Sequence, residues 1–189
     1  RRELLYEHAR QAVRTLPGVA DAAVSIQTPP IADQIPILPM ASVAGIRLAA
    51  GPSRMSPVNA ASPQWFDAFG TPIVSGRDFD DRDRAGAPRV AIVNQAFVRR
   101  FLNGLAPLGR TIVPALPPPT SASPIEIVGI AADALQSFSL RSPVQPMLYL
   151  PMAQADLIPA PWFAQVSLSV RATGNSPMRM WRNSARSPA

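Results

Sequence analysis

The chain has 189 residues, 47% of them hydrophobic and 16% charged, with 23 prolines, no cysteine and a net charge of +6 at pH 7. That size suits one domain or two small lobes, and the apolar share is enough for a real core rather than a disordered segment. Without cysteine there are no disulfides or thiolate metal sites, and so many prolines forbid long uninterrupted helices.

The first segment predicts a helix. Leu4, Leu5, Ala9, Ala12, Val13 and Leu16 recur on one face, with Glu3, Glu7, Arg10, Gln11 and Arg14 largely opposite. Pro17-Gly18 ends it, and Val19 to Ile26 reads as a strand. The Pro-rich residues 27–57 read as extended pieces and turns, with a strand around Val43–Leu48. Val58–Ala60 is a short strand. Ser62-Pro63 has the chemistry of a helix start, the serine accepting free amide hydrogens and the proline losing no bond at the first helical position. Trp65, Phe66 and Phe69 share a face of that helix, and Gly70 fits a left-handed C-terminal cap. Pro72–Ser75 extends a strand, and Arg77–Gly86 is a charged turn.

Arg89–Val93 is an apolar strand. Asn94 caps a helix over Gln95–Leu102, with Ala96, Phe97, Phe101 and Leu102 inward and Arg99 and Arg100 outward. Gly109–Val113 is a strand, Pro114–Pro124 a loop, and Ile125–Ile130 a strand enriched in Ile and Val. Met147–Leu150 and Phe163–Arg171 are further strands, and Ser176-Pro177 opens a last helix. Helices mixed with paired strands predict an α+β fold. No apolar run reaches the ~18 residues that cross a bilayer. The acidic N-terminus lacks the apolar stretch of a signal peptide, and a start at Arg1 reads as a piece of a longer protein.

Groups able to transfer protons, attack or hold metal are scarce. The single histidine, His8, sits in the first helix, where a surface role is expected. No G-x-S-x-G elbow presents a serine, and every basic residue is arginine, which removes lysine chemistry. Asp78, Asp80, Asp81 and Asp83 tempt a Ca²⁺ reading. Counted from Asp81, however, the fifth position is Ala85 and the twelfth is Ile92, so the main chelator is missing. Arg77, Arg82, Arg84 and Arg89 neutralise the cluster, and a solvated, self-paired turn is expected. No cofactor, metal or catalytic residue is assigned. Neither phosphate-binding glycine motif occurs, so any ATPase would be another domain or chain. The arginines are scattered and the aromatics sit on apolar helix faces, which argues against nucleic acid. Arg1, Arg2 and Arg10 would lie near a membrane if one precedes the chain, which allows weak attraction to anionic lipid.

The segment from Ser62 to Ile112 resembles the MacB-like periplasmic core domain of ABC-transporter permeases. The matching positions are Ser62-Pro63, Trp65-Phe66, Gly70, Gly76-Arg77-Asp78-Phe79, the acidic turn Asp80–Asp83, Val90-Ala91-Ile92-Val93-Asn94 with Phe97, and Pro107-Leu108-Gly109-Arg110. Leu16–Val19, Ile127–Asp133, Tyr149-Leu150-Pro151 with Gln154, and Val170–Gly174 resemble further parts in the same order. The likeness spans residues 10–175.

The resemblance implies a porter-type βαβ lobe with a β-rich second lobe, loosely 19–57 with 125–175, and 58–113, with 114–124 a loop. It implies structural rather than catalytic roles for the matched residues. It places the domain on the periplasmic face of the bacterial inner membrane, in a MacB/FtsX-type permease with no fused ATPase. The partners it implies are a separate ABC ATPase subunit, a second permease copy, and periplasmic adaptors or lipid and lipoprotein cargo. A free extracytoplasmic binding or adaptor protein of similar fold is the alternative.

Overall fold

The computed structural model describes residues 2–28, 35–116, 123–134, 143–164 and 166–173. In chain order the elements are α1 (Arg2–Arg14), β1 (Val19–Ser25), β2 (Ile37–Val43), β3 (Ile46–Arg47), β4 (Met55–Ala61), α2 (Trp65–Ala68), β5 (Ile73–Gly76), β6 (Val90–Asn94), α3 (Gln95–Phe101), β7 (Thr111–Pro114), β8 (Ile125–Ala131), β9 (Leu148–Pro151) and β10 (Ser167–Ala172). Short 3₁₀ turns lie at Pro52–Arg54, Met152–Leu157 and Ala160–Ala164.

All ten strands join one sheet, in the order β10-β1-β4-β9-β6-β8-β7-β2-β3, with β5 beside β8. A further pairing of β2 with β4, Ile37 opposite Pro57, closes six of them into a ring. The ring forms because β4 changes partner along its length. Met55–Pro57 pairs with β2, and Val58–Ala61 runs parallel to β9.

Strand alternation sorts the ring's side chains into two cores. Val58, Ala60, Ala91, Val93, Ile125, Ile127, Leu148 and Leu150 point inward, together with Leu38, Met40 and Ile112, and pack against Phe97 and Phe101 of α3. The intervening residues Ala61, Ile92, Met147 and Tyr149 form a second, outer cluster roofed by Trp65, Phe66 and Phe79. Each large apolar side chain withdrawn from water contributes roughly 1.5–3 kcal/mol. The two clusters on opposite sides of β4, β6 and β9 fix their register, since a one-residue slip would exchange them. Between β6 and its parallel neighbour β8 the chain crosses over through α3, the strand–helix–strand unit expected. The mixed α and β architecture is the one read from the sequence.

Four local expectations are corrected. The apolar stripe of α1 does not face the core: Leu5 is 65% and Leu16 54% exposed, and Ala9 and Ala12 are exposed, whereas Arg10 is only 4% exposed. That buried guanidinium also removes Arg10 from any membrane-facing role. Residues 43–48 are not one strand, because Ala44 (φ 52°) and Gly45 (φ 80°) turn β2 into β3. Two successive positive φ values make a tight hairpin turn that favours glycine or asparagine, so alanine at its first position hid it. Ser62 does not cap α2. Gln64 stands before the helix in a left-handed conformation without a side-chain cap bond, and the serine oxygen serves β1 instead. The strand expected from Phe163 begins at Ser167, since Ala160–Ala164 coils into 3₁₀ turns. The helix expected from Ser176 lies outside the described residues, as does most of the 114–124 loop. Among the described residues, no helix is long and apolar enough to cross a membrane.

Candidate functional site

The segment from Ser62 to Asp83 folds over the outer face of the ring and meets α1 there. Its anchor is Ser62, 2% exposed, whose amide donates to Val24 O (2.8 Å) while its Oγ accepts from Val24 N (2.9 Å). Pro63 and Gln64 complete a turn that delivers Trp65 and Phe66 into the outer core. Their rings form a cluster with Phe69, Phe79 and Tyr149, Phe66 meeting Tyr149 edge-on at 4.9 Å between centroids. Trp65, Phe66, Phe79 and Tyr149 are each no more than 2% exposed, so the aromatics are core rather than a stacking platform. α2 ends as expected at Gly70 (φ 65°). Thr71 N donates to Phe66 O (2.9 Å) and Gly70 N to Asp67 O (3.1 Å), the paired bonds of a Schellman cap.

Gly76 and Gly129 let β5 and β8 approach. A Cβ on Gly76, which has φ 78°, would lie 2.2 Å from Val128 O, and one on Gly129 would lie 2.3 Å from Arg77 O. Past that contact, Arg77 grips Asp83 with both guanidinium nitrogens, at 2.7 and 2.8 Å. Asp83 Oδ2 also accepts from Asp80 N (3.0 Å), which closes the turn. Asp80 is held by Arg82, whose hydrogen bonds keep its carboxyl far below the usual range. The turn is self-paired as expected, but Asp83 is 5% exposed rather than solvated. A planar fork is needed at Arg77 and not at Arg82. Arg77→Leu strands the buried Asp83 carboxylate and lowers stability by about 1–3 kcal/mol, whereas Arg82→Leu, at an exposed pair, leaves it nearly unchanged. Urea unfolding of the two variants side by side checks the contrast.

Among the described residues, no arginine pairs with Asp78. Its oxygens accept from Phe79 N (2.7 Å) and Gln64 N (3.1 Å). Burial pushes its carboxyl up to about 6, against those two bonds, and the charges of Asp67 and Asp83 add to the rise. A folded-state value above the unfolded one means that the folded chain binds the proton more readily. Stability therefore rises as pH falls through about 6 and levels off near the unfolded value of 3.8. Unfolding free energies measured from pH 7 to pH 5 show this rise in the parent chain and lose it in Asp78→Asn.

Gln64, positioned by that carboxylate, reaches α1. Its Oε1 accepts from Arg10 Nη1 (2.8 Å) and Arg14 Nη1 (3.3 Å). Arg10 is closed on its other side by Glu7, with Nε donating to Oε2 at 2.9 Å. Beside this contact runs a cleft of about 590 Å³, lined by Tyr6, Glu7 and Gln11 of α1, by Asp80, Asp81, Asp83, Arg84 and Ala85 of the acidic turn, and by Pro151 to Ala153. Sequence reading missed Arg10 and Gln64, since a polar residue on a helix face carries no periodic signal for the side that docks. Among the described residues, no group of three or more His, Asp or Glu could hold a metal ion, and His8 is exposed on α1.

The other matched positions hold the ring. Asn94 is fully buried. Its Oδ1 accepts from Phe97 N (2.9 Å), capping α3, and from Met147 N (2.8 Å), and its Nδ2 donates to Gln145 O (2.8 Å). Gln154, 4% exposed, accepts from Val90 N and donates to Arg84 O and Pro88 O, which binds the acidic turn to β6. Gly109 turns at φ 75° into β7, its amide bonded to Ile127 O (2.9 Å).

A family model described as the MacB-like periplasmic core domain matches residues 3–184. The extracellular domain of the noncanonic ABC-type transporter YknZ from Gram-positive bacteria is similar with a TM-score of 0.53 and 14% identity, over 89% of this chain and 73% of that one. The periplasmic region of MacB from Actinobacillus actinomycetemcomitans is similar with a TM-score of 0.52 and 12% identity, over 90% of this chain and 66% of that one. At such identities the likeness speaks for the fold. No curated protein matches the chain.

Proposed function

The chain belongs to the MacB-like periplasmic core domain family, an extracytoplasmic domain of ABC-transporter permeases, and from that premise we propose that it relays ATP-driven motion of transmembrane helices to cargo or to periplasmic partners. The ATPase is a separate subunit on the other side of the membrane, and the full-length permease works as a dimer. The domain stands on the periplasmic face of the inner membrane and carries out no catalysis itself. The family match over residues 3–184 carries this reading. The site's chemistry supports it: carboxylates such as Asp80 and Asp83 are engaged by arginines, and the lone histidine is exposed, far in character from an activated base.

The test uses the absence of cysteine in the chain. Ala85→Cys, at an exposed position of the acidic turn, is introduced into the full-length permease on a cysteine-free background and treated with a membrane-impermeant maleimide. Labelling in intact spheroplasts, with the protein retained in the membrane fraction, is expected. Labelling only after lysis refutes the reading. The cleft beside α1 favours a second reading, a free extracytoplasmic binding protein. That reading predicts release of the labelled chain with the soluble periplasmic fraction.

A further inference from the structure

We propose that α1 is a detachable arm, held on the domain by one polar latch in which Arg10 is seated between Glu7 and Gln64. The inference deepens the proposed function, and it rests on that reading only for the source of the pull. Three observations carry it. First, α1 docks against its own amphipathicity, with Leu5, Ala9 and Ala12 exposed and the Arg10 guanidinium buried. A helix integral to a core does the reverse. Second, the buried charge is satisfied from both sides, by Glu7 within the helix and by Gln64 across the joint. Gln64 holds its reach because its left-handed backbone (φ 61°) is tied through its amide to Asp78. Third, an open cleft lies next to the joint, with Tyr6, Glu7 and Gln11 among the residues that line it.

Release returns the guanidinium and its partners to water, so undocking costs only the part of the latch that water does not replace. Beyond the latch, Tyr6 packs half-buried against the inner core and Val13 is half-buried, and this limited apolar contact is what else resists the release. The docked state is favoured, but by a local contact rather than by the whole core, and a pull along α1 moves the helix as a unit from the docked to the undocked state. The Ser62–Asp83 segment, reached through Gln64 and Asp78, is the part of the domain that senses the change.

Undocking has a signature, since a free helix of 13 residues is marginal in water and exchanges its amide hydrogens. Hydrogen exchange is measured on the 189-residue chain and on two variants. Arg10→Ala removes the latch. Gln64→Asn keeps a residue that tolerates the left-handed backbone but shortens the reach. In both, exchange over residues 6–14 rises about tenfold or more while β6, β8 and β9 keep their protection. Unchanged α1 exchange in both variants would overturn the proposal, as would α1 and the sheet opening together. None of these outcomes depends on a membrane or on ATP, so failure of the latch is distinguishable from failure of the permease reading.

Discussion

Asn94→Ala lowers the unfolding free energy by about 2–4 kcal/mol, a large part of the ~5–15 kcal/mol that keeps a domain folded. The side chain joins three elements at one fully buried point: the first turn of α3 through Phe97 N, the start of β9 through Met147 N, and Gln145 O. Losing the cap costs ~1 kcal/mol. Met147 N–H, at a fully buried residue, loses its partner at roughly 1–3 kcal/mol, while Gln145 O, at an exposed residue, can turn to water. Asn94→Asp separates these contributions, because a carboxylate still accepts from both amides but faces Gln145 O without a proton. It is expected to be less stable than the parent at pH 7 and to recover part of the loss at pH 4, when the carboxyl can donate. Urea midpoints at the two pH values check both variants, and a loss under 1 kcal/mol for the alanine variant at neutral pH would contradict the argument.

Gly76→Ala is expected to prevent folding, while Gly70→Ala is tolerated. Both glycines have positive φ, 78° and 65°, so each substitution carries the left-handed penalty of roughly 1–2 kcal/mol. They differ in space. A methyl at position 70 meets nothing within 4 Å, whereas one at 76 would sit 2.2 Å from Val128 O, a main-chain atom of β8 with no freedom to rotate away. Relief requires parting β5 from β8, which breaks the bond from Arg77 N to Val128 O (3.0 Å) and misplaces the Arg77 fork. The combined loss exceeds ~4 kcal/mol, the range reserved for core disruption. Soluble yield and thermal midpoint compared across the two variants give the readout, and similar midpoints for both would refute the close-approach account.

What could be read from the residues depended on how local the cause was. The β6–α3 unit was legible because its determinants are adjacent in sequence: an Ile/Val run, an asparagine able to cap, and an apolar pair four residues apart at Phe97 and Phe101. That Asn94 also holds β9, 53 positions away, was not legible, since nothing local distinguishes a cap from a three-way junction. The pairing in the acidic turn followed from alternating charges, but the burial of Asp83 depends on Arg77 emerging from the Gly76–Gly129 contact. α1 misled for a physical reason. Periodicity identifies an apolar face but not whether the domain's own core is what covers it, and here the domain takes Arg10 instead. Ring closure was beyond reach because it depends on β4 changing partner at Pro57 and Val58, a tertiary choice with no compositional mark.

The most direct measurement places a spin label on Ala9→Cys, at an exposed position of α1, in the full-length permease reconstituted with its ATPase in lipid vesicles. Electron paramagnetic resonance is recorded before and after ATP is supplied on the ATPase side alone. A change in the label's mobility or distance distribution on adding ATP, abolished by an ATPase unable to hydrolyse it, is the predicted result. A spectrum indifferent to ATP, from a complex that turns over normally, would contradict a domain that relays force across the membrane.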